Sequence, residues 1–140
     1  MTTDWLLRVG DGENLKNSLK FGIWGILSTT PTNKYFIKNV KNGDRLWFVK
    51  SKSQGKLLAV ATYRSHNSRY SEHLITCMTE EELGWTHDGP DWESDTEIHF
   101  TDLYGLEQYN LLTDIKGATT IRKYNEKCKV DLALEYSKIK

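Results

Sequence analysis

Asp4–Ile26 reads DWLLRVGDGENLKNSLKFGIWGI. Its apolar opening, Asp4 to Val9, predicts a buried strand that Gly10-Asp11-Gly12 ends. Leu15, Leu19 and Ile23 then recur at spacing four, with Lys16, Asn17 and Lys20 between them. That spacing predicts an amphipathic helix with a wet face, stopped by Gly22. A polar turn is the usual exit from such a helix. Here the exit is Gly22-Ile23-Trp24-Gly25. Trp24 either fills the core or forms one wall of a slot for something flat.

Outward from this stretch, Thr29–Asn33 reads as a loop in which Pro31 keeps Thr30 extended. Lys34–Val40 is ambiguous, with a short helix packing Tyr35, Phe36 and Val40 as one reading. Arg45–Val49 and Lys56–Tyr63 read as strands on either side of the loop Ser51–Gly55, which predicts a hairpin. Leu74–Met78 reads as a further strand, and Thr79-Glu80-Glu81-Glu82 opens like a capping box. Thr96–Phe100 and Thr120–Tyr124 read as strands, and Val130–Ile139 as a helix or a last strand. No internal repeat is present. Short strands mixed with a few helices predict one α+β domain over residues 1–140, a curved mixed β-sheet or small barrel flanked by short helices.

The 140 residues are enough to bury a core without a metal or disulfide staple. No apolar run is long enough to span a bilayer, so no membrane role is expected. Cys77 and Cys128 are too few and too far apart for a disulfide framework. They point to a reducing compartment, intracellular and either cytoplasmic or nuclear. The net charge of zero hides a segregation. Residues 1–69 carry 12 basic and 4 acidic side chains, residues 70–115 carry 12 acidic and no Lys or Arg, and residues 116–140 carry 7 basic and 3 acidic ones. Such segregation can build a basic face on a neutral protein. The acidic 70–115 segment would equally suit a basic partner protein.

The usual catalytic and phosphate-binding signatures are missing: no P-loop, no nucleophile elbow, no His-Glu-x-x-His. His66, His73, His87 and His99 lack metal-ligand spacing. No cofactor is implied. Glu93 and Asp95 sit in a stretch so acidic that a carboxylate pair arises by chance. The five tryptophans say more. Trp5 and Trp47 lie in apolar strands and are expected in the core. Trp24, Trp85 and Trp92 have loop-like surroundings, where an indole can present a flat face to a nucleobase or a methylated group.

The stretch DWLLRVGDGENLKNSLKFGIWGI resembles the opening of YTH domains, and more broadly the EVE branch of the PUA-like superfamily. The shared pattern is a strand ending in a basic residue, a polar turn, Glu-Asn, an amphipathic helix, then a hydrophobic residue and tryptophan. The hairpin DRLWFVKSKSQGKLLAVATY resembles the next two strands of that family, and EIHFTDLYGL resembles a later one.

The resemblance implies a non-enzymatic nucleic-acid-binding module, for RNA or DNA, that reads a modified base such as N6-methyladenine. It implies that Trp24 is the first wall of an aromatic cage and that Asn14 bonds the base edge. The carbonyl of Gly25 would accept from the exocyclic N–H, and Arg8 would meet phosphate. Where the family places polar groups after the first strand, this chain has Val9 and Gly10. Where a second cage tryptophan would stand there is Glu97, so Trp85 or Trp92 would supply that wall, Trp92 being nearer. Methylation removes a donor and adds apolar area, which aromatic faces can bury while one carbonyl takes the remaining N–H. Lys16, Lys20, Lys50, Lys52, Lys116, Arg122 and Lys123 would add salt-dependent phosphate attraction. Some PUA-like relatives of the ASCH group resemble amidohydrolases acting on acetylated cytidine. An enzyme of that kind is the alternative, although no lysine, threonine and glutamate arrangement stands out here.

Overall fold

A computed structural model describes residues 2–10, 12–18, 20–51, 53–68, 95–113, 121–124 and 130–139. The expected strand Leu74–Met78, the helix opening at Thr79, both cysteines and most of the acidic segment lie outside the described residues.

Six strands form one curled mixed sheet: β1 (Asp4–Arg8), β2 (Ile23–Ile26), β3 (Arg45–Val49), β4 (Leu57–Ser68), β5 (Thr96–Gly105) and β6 (Ile121–Lys123). Their order is β2-β5-β4-β3-β1-β6. Among the described strands, β1 and β3 pair in parallel and the other neighbours are antiparallel. A parallel pair needs a crossover, and here it runs through α1 (Glu13–Ser18), β2 and α2 (Pro31–Asn39). A 3₁₀ turn covers Glu107–Tyr109, and α3 (Leu132–Ile139) ends the described chain. The expected α+β architecture, a curved mixed sheet flanked by short helices, is what forms. The expected hairpin is β3–β4, and Val130–Ile139 resolves to helix.

Both faces of the sheet are covered. Trp5, Leu7, Phe36, Leu46, Phe48, Ala59, Ala61, Tyr63, Ile98 and Phe100 share one cluster, beneath α2. Leu6, Trp47, Val49, Leu57, Val60 and Leu106 share the other, beneath Leu132 of α3. Leu6 and Leu7, and likewise Trp47 and Phe48, go to opposite clusters, as the period of two requires. The register slips between Phe48 and Val49, leaving Leu58 unpaired as a bulge, so that Leu58 and Ala59 both join the first cluster.

Two buried carboxylates clamp the tryptophans of this centre. Trp5 donates its indole N–H to Asp44 at 3.1 Å, and Trp47 donates to Asp4 at 2.8 Å. Each acid lies beside the strand of the other ring. Trp5 and Trp47 are core residues, as expected.

The helix of the opening stretch is shorter than its spacing suggests. It covers Glu13–Ser18, and Ile23 begins β2 instead of closing the helical face. Gly22 is the cause. Its φ of +66° is a left-handed conformation that breaks the helix, and its carbonyl accepts the amide of Phe100 at 2.9 Å. Pro31, read as a loop residue, is the first residue of α2, where its missing N–H costs nothing. Thr30 before it is extended, as expected.

Candidate nucleic-acid interface

The site foreseen around Trp24 lies on β2, the strand at one edge of the described sheet. Along β2, Ile23 faces His99, Trp24 faces Ile98, Gly25 faces Glu97 and Ile26 faces Thr96. The carbonyl of Gly22 accepts from Phe100, and that of Ile26 accepts from Asp95 at 3.1 Å. Antiparallel ladders alternate bonded residues, so 22, 24 and 26 point their peptide groups at β5. The N–H and C=O of Gly25 therefore point away from β5, off the edge of the described sheet. That position carries no side chain to shield them. Glycine costs a strand stability unless something must come close to its backbone.

The indole of Trp24 is 6% exposed and belongs to the cluster beneath α2. The loop-like setting inferred from its flanking glycines is in fact a strand. Gly25 is buried as well. Asn14 lies on α1, which follows β1 and packs on β2. Arg8 closes β1 and is half-buried, while Lys16 and Lys20 are exposed. Lys20 Nζ sits 4.9 Å over the ring of Phe21, itself partly exposed. Arg122 and Lys123 are exposed on β6, at the opposite end of the strand order from β2. The structure thus brings Trp24, Gly25 and α1 together and puts the two β6 cations elsewhere. Trp85, Trp92 and Lys116 lie outside the described residues.

Sequence reasoning passed over a polar group next to Trp24. Residues directly opposite in a sheet share a face, so Trp24, Ile98 and His66 form a row across β2, β5 and β4. Gly25, Glu97 and Asn67 form the next row, directed to the other face. The Nε2 of His99 meets the side-chain carbonyl of Asn67 and, at 3.3 Å, the carboxylate of Glu97. Both partners are acceptors, so Nε2 carries the proton. Glu97 is wholly buried. His66 Nδ1 meets the hydroxyl of Tyr63. Burial, with the nearby Asp44 carboxylate, pushes that phenol up to about 12, so Tyr63 donates and Nδ1 accepts. The Asn67–His99 contact that joins the two halves of this group links residues 32 apart in sequence, so no local signal marks it.

Burial also holds both histidines below their ordinary pKa. For His66 the proximity of His99 adds to the depression, and for His99 the Glu97 carboxylate partly opposes it. A lowered folded pKa means that the unfolded chain takes up the proton first. The stabilisation is complete above about pH 6.5 and is lost as pH falls through the folded values. The melting temperature should therefore drop between pH 7.5 and 5, and His66→Gln should flatten that slope. An unchanged melting temperature down to pH 5 would contradict the burial of both rings.

Asp95 has a structural role. It accepts from the amide and hydroxyl of Ser28, both at 2.8 Å, and from Thr96 at 3.1 Å. Burial raises its pKa, but these bonds outweigh it and hold the carboxyl below the usual range. The clamp ties the exit of β2 to the start of β5. Among the described residues no group of three His, Cys, Asp or Glu could hold a metal, and no helix is long and apolar enough to cross a membrane.

No protein-family model matches this sequence, and no curated protein does. Solved structures do. The YTH domain of Pho92, solved in complex with m6A, superposes with a TM-score of 0.52 at 14% identity, over 98% of this chain and 82% of that one. The YTH-like fold is thereby established. The YTH domain of Zygosaccharomyces rouxii MRB1, in complex with N6-methyladenosine RNA, gives 0.50 at 13% identity, over 98% and 85% of the two chains. A protein from Pseudomonas syringae superposes with a TM-score of 0.50 at 13% identity, over 98% and 99% of the two chains.

Proposed function

We propose that this protein is a non-catalytic module that binds single-stranded or flipped-out nucleic acid through a modified base, N6-methyladenine or a close relative. The single observation that carries the reading is the Trp24-Gly25 step at the edge of the described sheet of a YTH-like fold, where a peptide group directed away from β5 adjoins an indole. Two fold relatives were solved with N6-methyladenosine ligands, which supports the same ligand class here. In this reading Trp24 stacks on the base, and the Gly25 carbonyl accepts its remaining exocyclic N–H. Asn14 bonds the base edge, and Trp92 or Trp85 closes the cage. Arg8, Lys16 and Lys20 hold the backbone beside it, and Lys116 adds to that charge.

The buried state of Trp24 sets a condition. A base reaches the ring only when the groups over it yield, so binding should change the fluorescence of this residue and slow association below the steered limit. The test is titration of methylated and unmethylated oligonucleotides of one sequence. Trp24→Leu keeps apolar volume but removes the π-face. It should weaken binding of the methylated strand by about 1–3 kcal/mol, the usual worth of one stacked base. A melting curve of the variant separates that loss from unfolding. Equal affinity of the wild type for both strands would overturn the modified-base reading.

A further inference from the structure

We propose that a second groove, between α2 and β6, holds a nucleotide of a single strand, its base stacked on Tyr35 and its phosphates on Arg122 and Lys123. This rests on the nucleic-acid reading above but not on recognition of a modified base. The groove encloses about 380 Å³ and is lined by Trp5, Pro31, Thr32, Tyr35, Ile121, Arg122 and Lys123. That volume falls in the usual range of small-ligand sites.

Tyr35 leaves half its surface exposed, at 51%. Its ring is nonetheless held. It packs on Trp5 with centroids 6.0 Å apart and planes tilted by 57°. Trp5 is itself buried and anchored through its indole N–H to Asp44. The result is a flat aromatic face fixed from behind, which loses little side-chain entropy when a base stacks on it.

Among the described residues, the exposed charge around this face has one sign. Arg122 and Lys123 are exposed on β6, and Lys34 and Lys38 are exposed on α2. Among the described residues, no acidic side chain lines the groove. Among the described residues, none of these four cations has an ion pair. The contrast is the cavity of about 430 Å³ near α3, where Arg45 is already paired with Asp4 and Arg64 with Asp102. An aromatic platform beside uncompensated cations fits a base and its phosphates. The strand must be single, because a paired base offers no open face.

The probe is a labelled, unmodified ten-nucleotide strand, as DNA and as RNA, followed by fluorescence anisotropy. Tyr35→Ala should weaken its binding about 5- to 150-fold, and Tyr35→Phe by no more than about twofold. Arg122→Gln with Lys123→Gln should make the dependence of log K on log salt shallower by about 1.5. Melting curves check that each variant is folded. Wild-type affinity in Tyr35→Ala overturns the groove, as does a loss seen only in the charge variant. In those cases sedimentation would show whether a second copy occupies this face instead. Tyr35-dependent binding with no preference for methylated strands would keep the groove and sink the modified-base site. The reverse pattern would do the opposite, and no binding of any strand would overturn both.

Discussion

Gly22→Ala should lower the melting temperature by roughly 10 °C or more, a loss of about 3 kcal/mol or above for a domain of this size. Two effects add. The φ of +66° costs a side-chain-bearing residue about 1–2 kcal/mol. The new Cβ would also lie 2.6 Å from the carbonyl oxygen of Phe100. That oxygen belongs to backbone, so no rotamer change relieves the contact, and β2 or β5 has to shift. Gly10 provides an internal control. Its φ is +67°, and no atom lies within 4 Å of where its Cβ would be. Gly10→Ala should therefore show the conformational cost alone, about 1–2 kcal/mol. The difference between the two variants, measured by urea unfolding, isolates the clash. Because β2 carries Trp24 and Gly25, Gly22→Ala should also lose nucleic-acid binding where Gly10→Ala keeps it. Equal destabilisation of the two variants would mean that the strands part without cost.

These two glycines also show where the sequence was legible. β1 and the β3–β4 hairpin could be read because each strand is a short continuous apolar run bounded by turn residues. The opening helix was overextended because spacing four from Leu15 to Ile23 fits a helix as well as it fits a short helix, a left-handed glycine and a strand. β4 and β5 run well past their expected ends, to Ser68 and Gly105. Bulges hide this. Arg64 is the extra residue on β4, and Asp102, at φ 52°, lies in the extra step on β5. Each resets the alternation, so the sequence beyond reads as polar loop. The two residues then meet, Arg64 donating to Asp102 at 2.9 Å. The candidate site divides in the same way. Trp24 was visible as a tryptophan between glycines. The outward peptide of Gly25 depends on the pairing parity of β2 with β5, and the His66, Asn67, Glu97 and His99 group depends on β4 lying beside β5. Both are consequences of long-range register, which no local pattern encodes.

Asp4→Ala should cost about 3–5 kcal/mol, a large share of the 5–15 kcal/mol that a domain typically has. Asp4 Oδ1 accepts from Arg45 Nε at 2.6 Å and from Trp47 Nε1 at 2.8 Å, and Oδ2 accepts from Arg45 Nη2 at 2.9 Å. This two-pronged bond raises the pKa of Arg45 against the opposing effect of burial. The pair is largely buried, with side-chain exposures of 16% for Arg45 and 9% for Asp4, so solvent screens it little. Truncation leaves a guanidinium and an indole N–H without their acceptor, inside the layer covered by α3. Arg45 also lies 4.8 Å over the ring of Tyr136, so its displacement would loosen α3 from the sheet. Most of the penalty is thus the stranded cation, not the lost bond. That distinction is testable: Arg45→Met in the Asp4→Ala background should recover part of the stability, since it removes the orphaned charge and keeps apolar volume. Urea unfolding of the wild type, both single variants and the double variant gives the coupling. A loss below about 1 kcal/mol in Asp4→Ala is what an exposed ion pair would give, and it would contradict the buried clamp between β1 and β3.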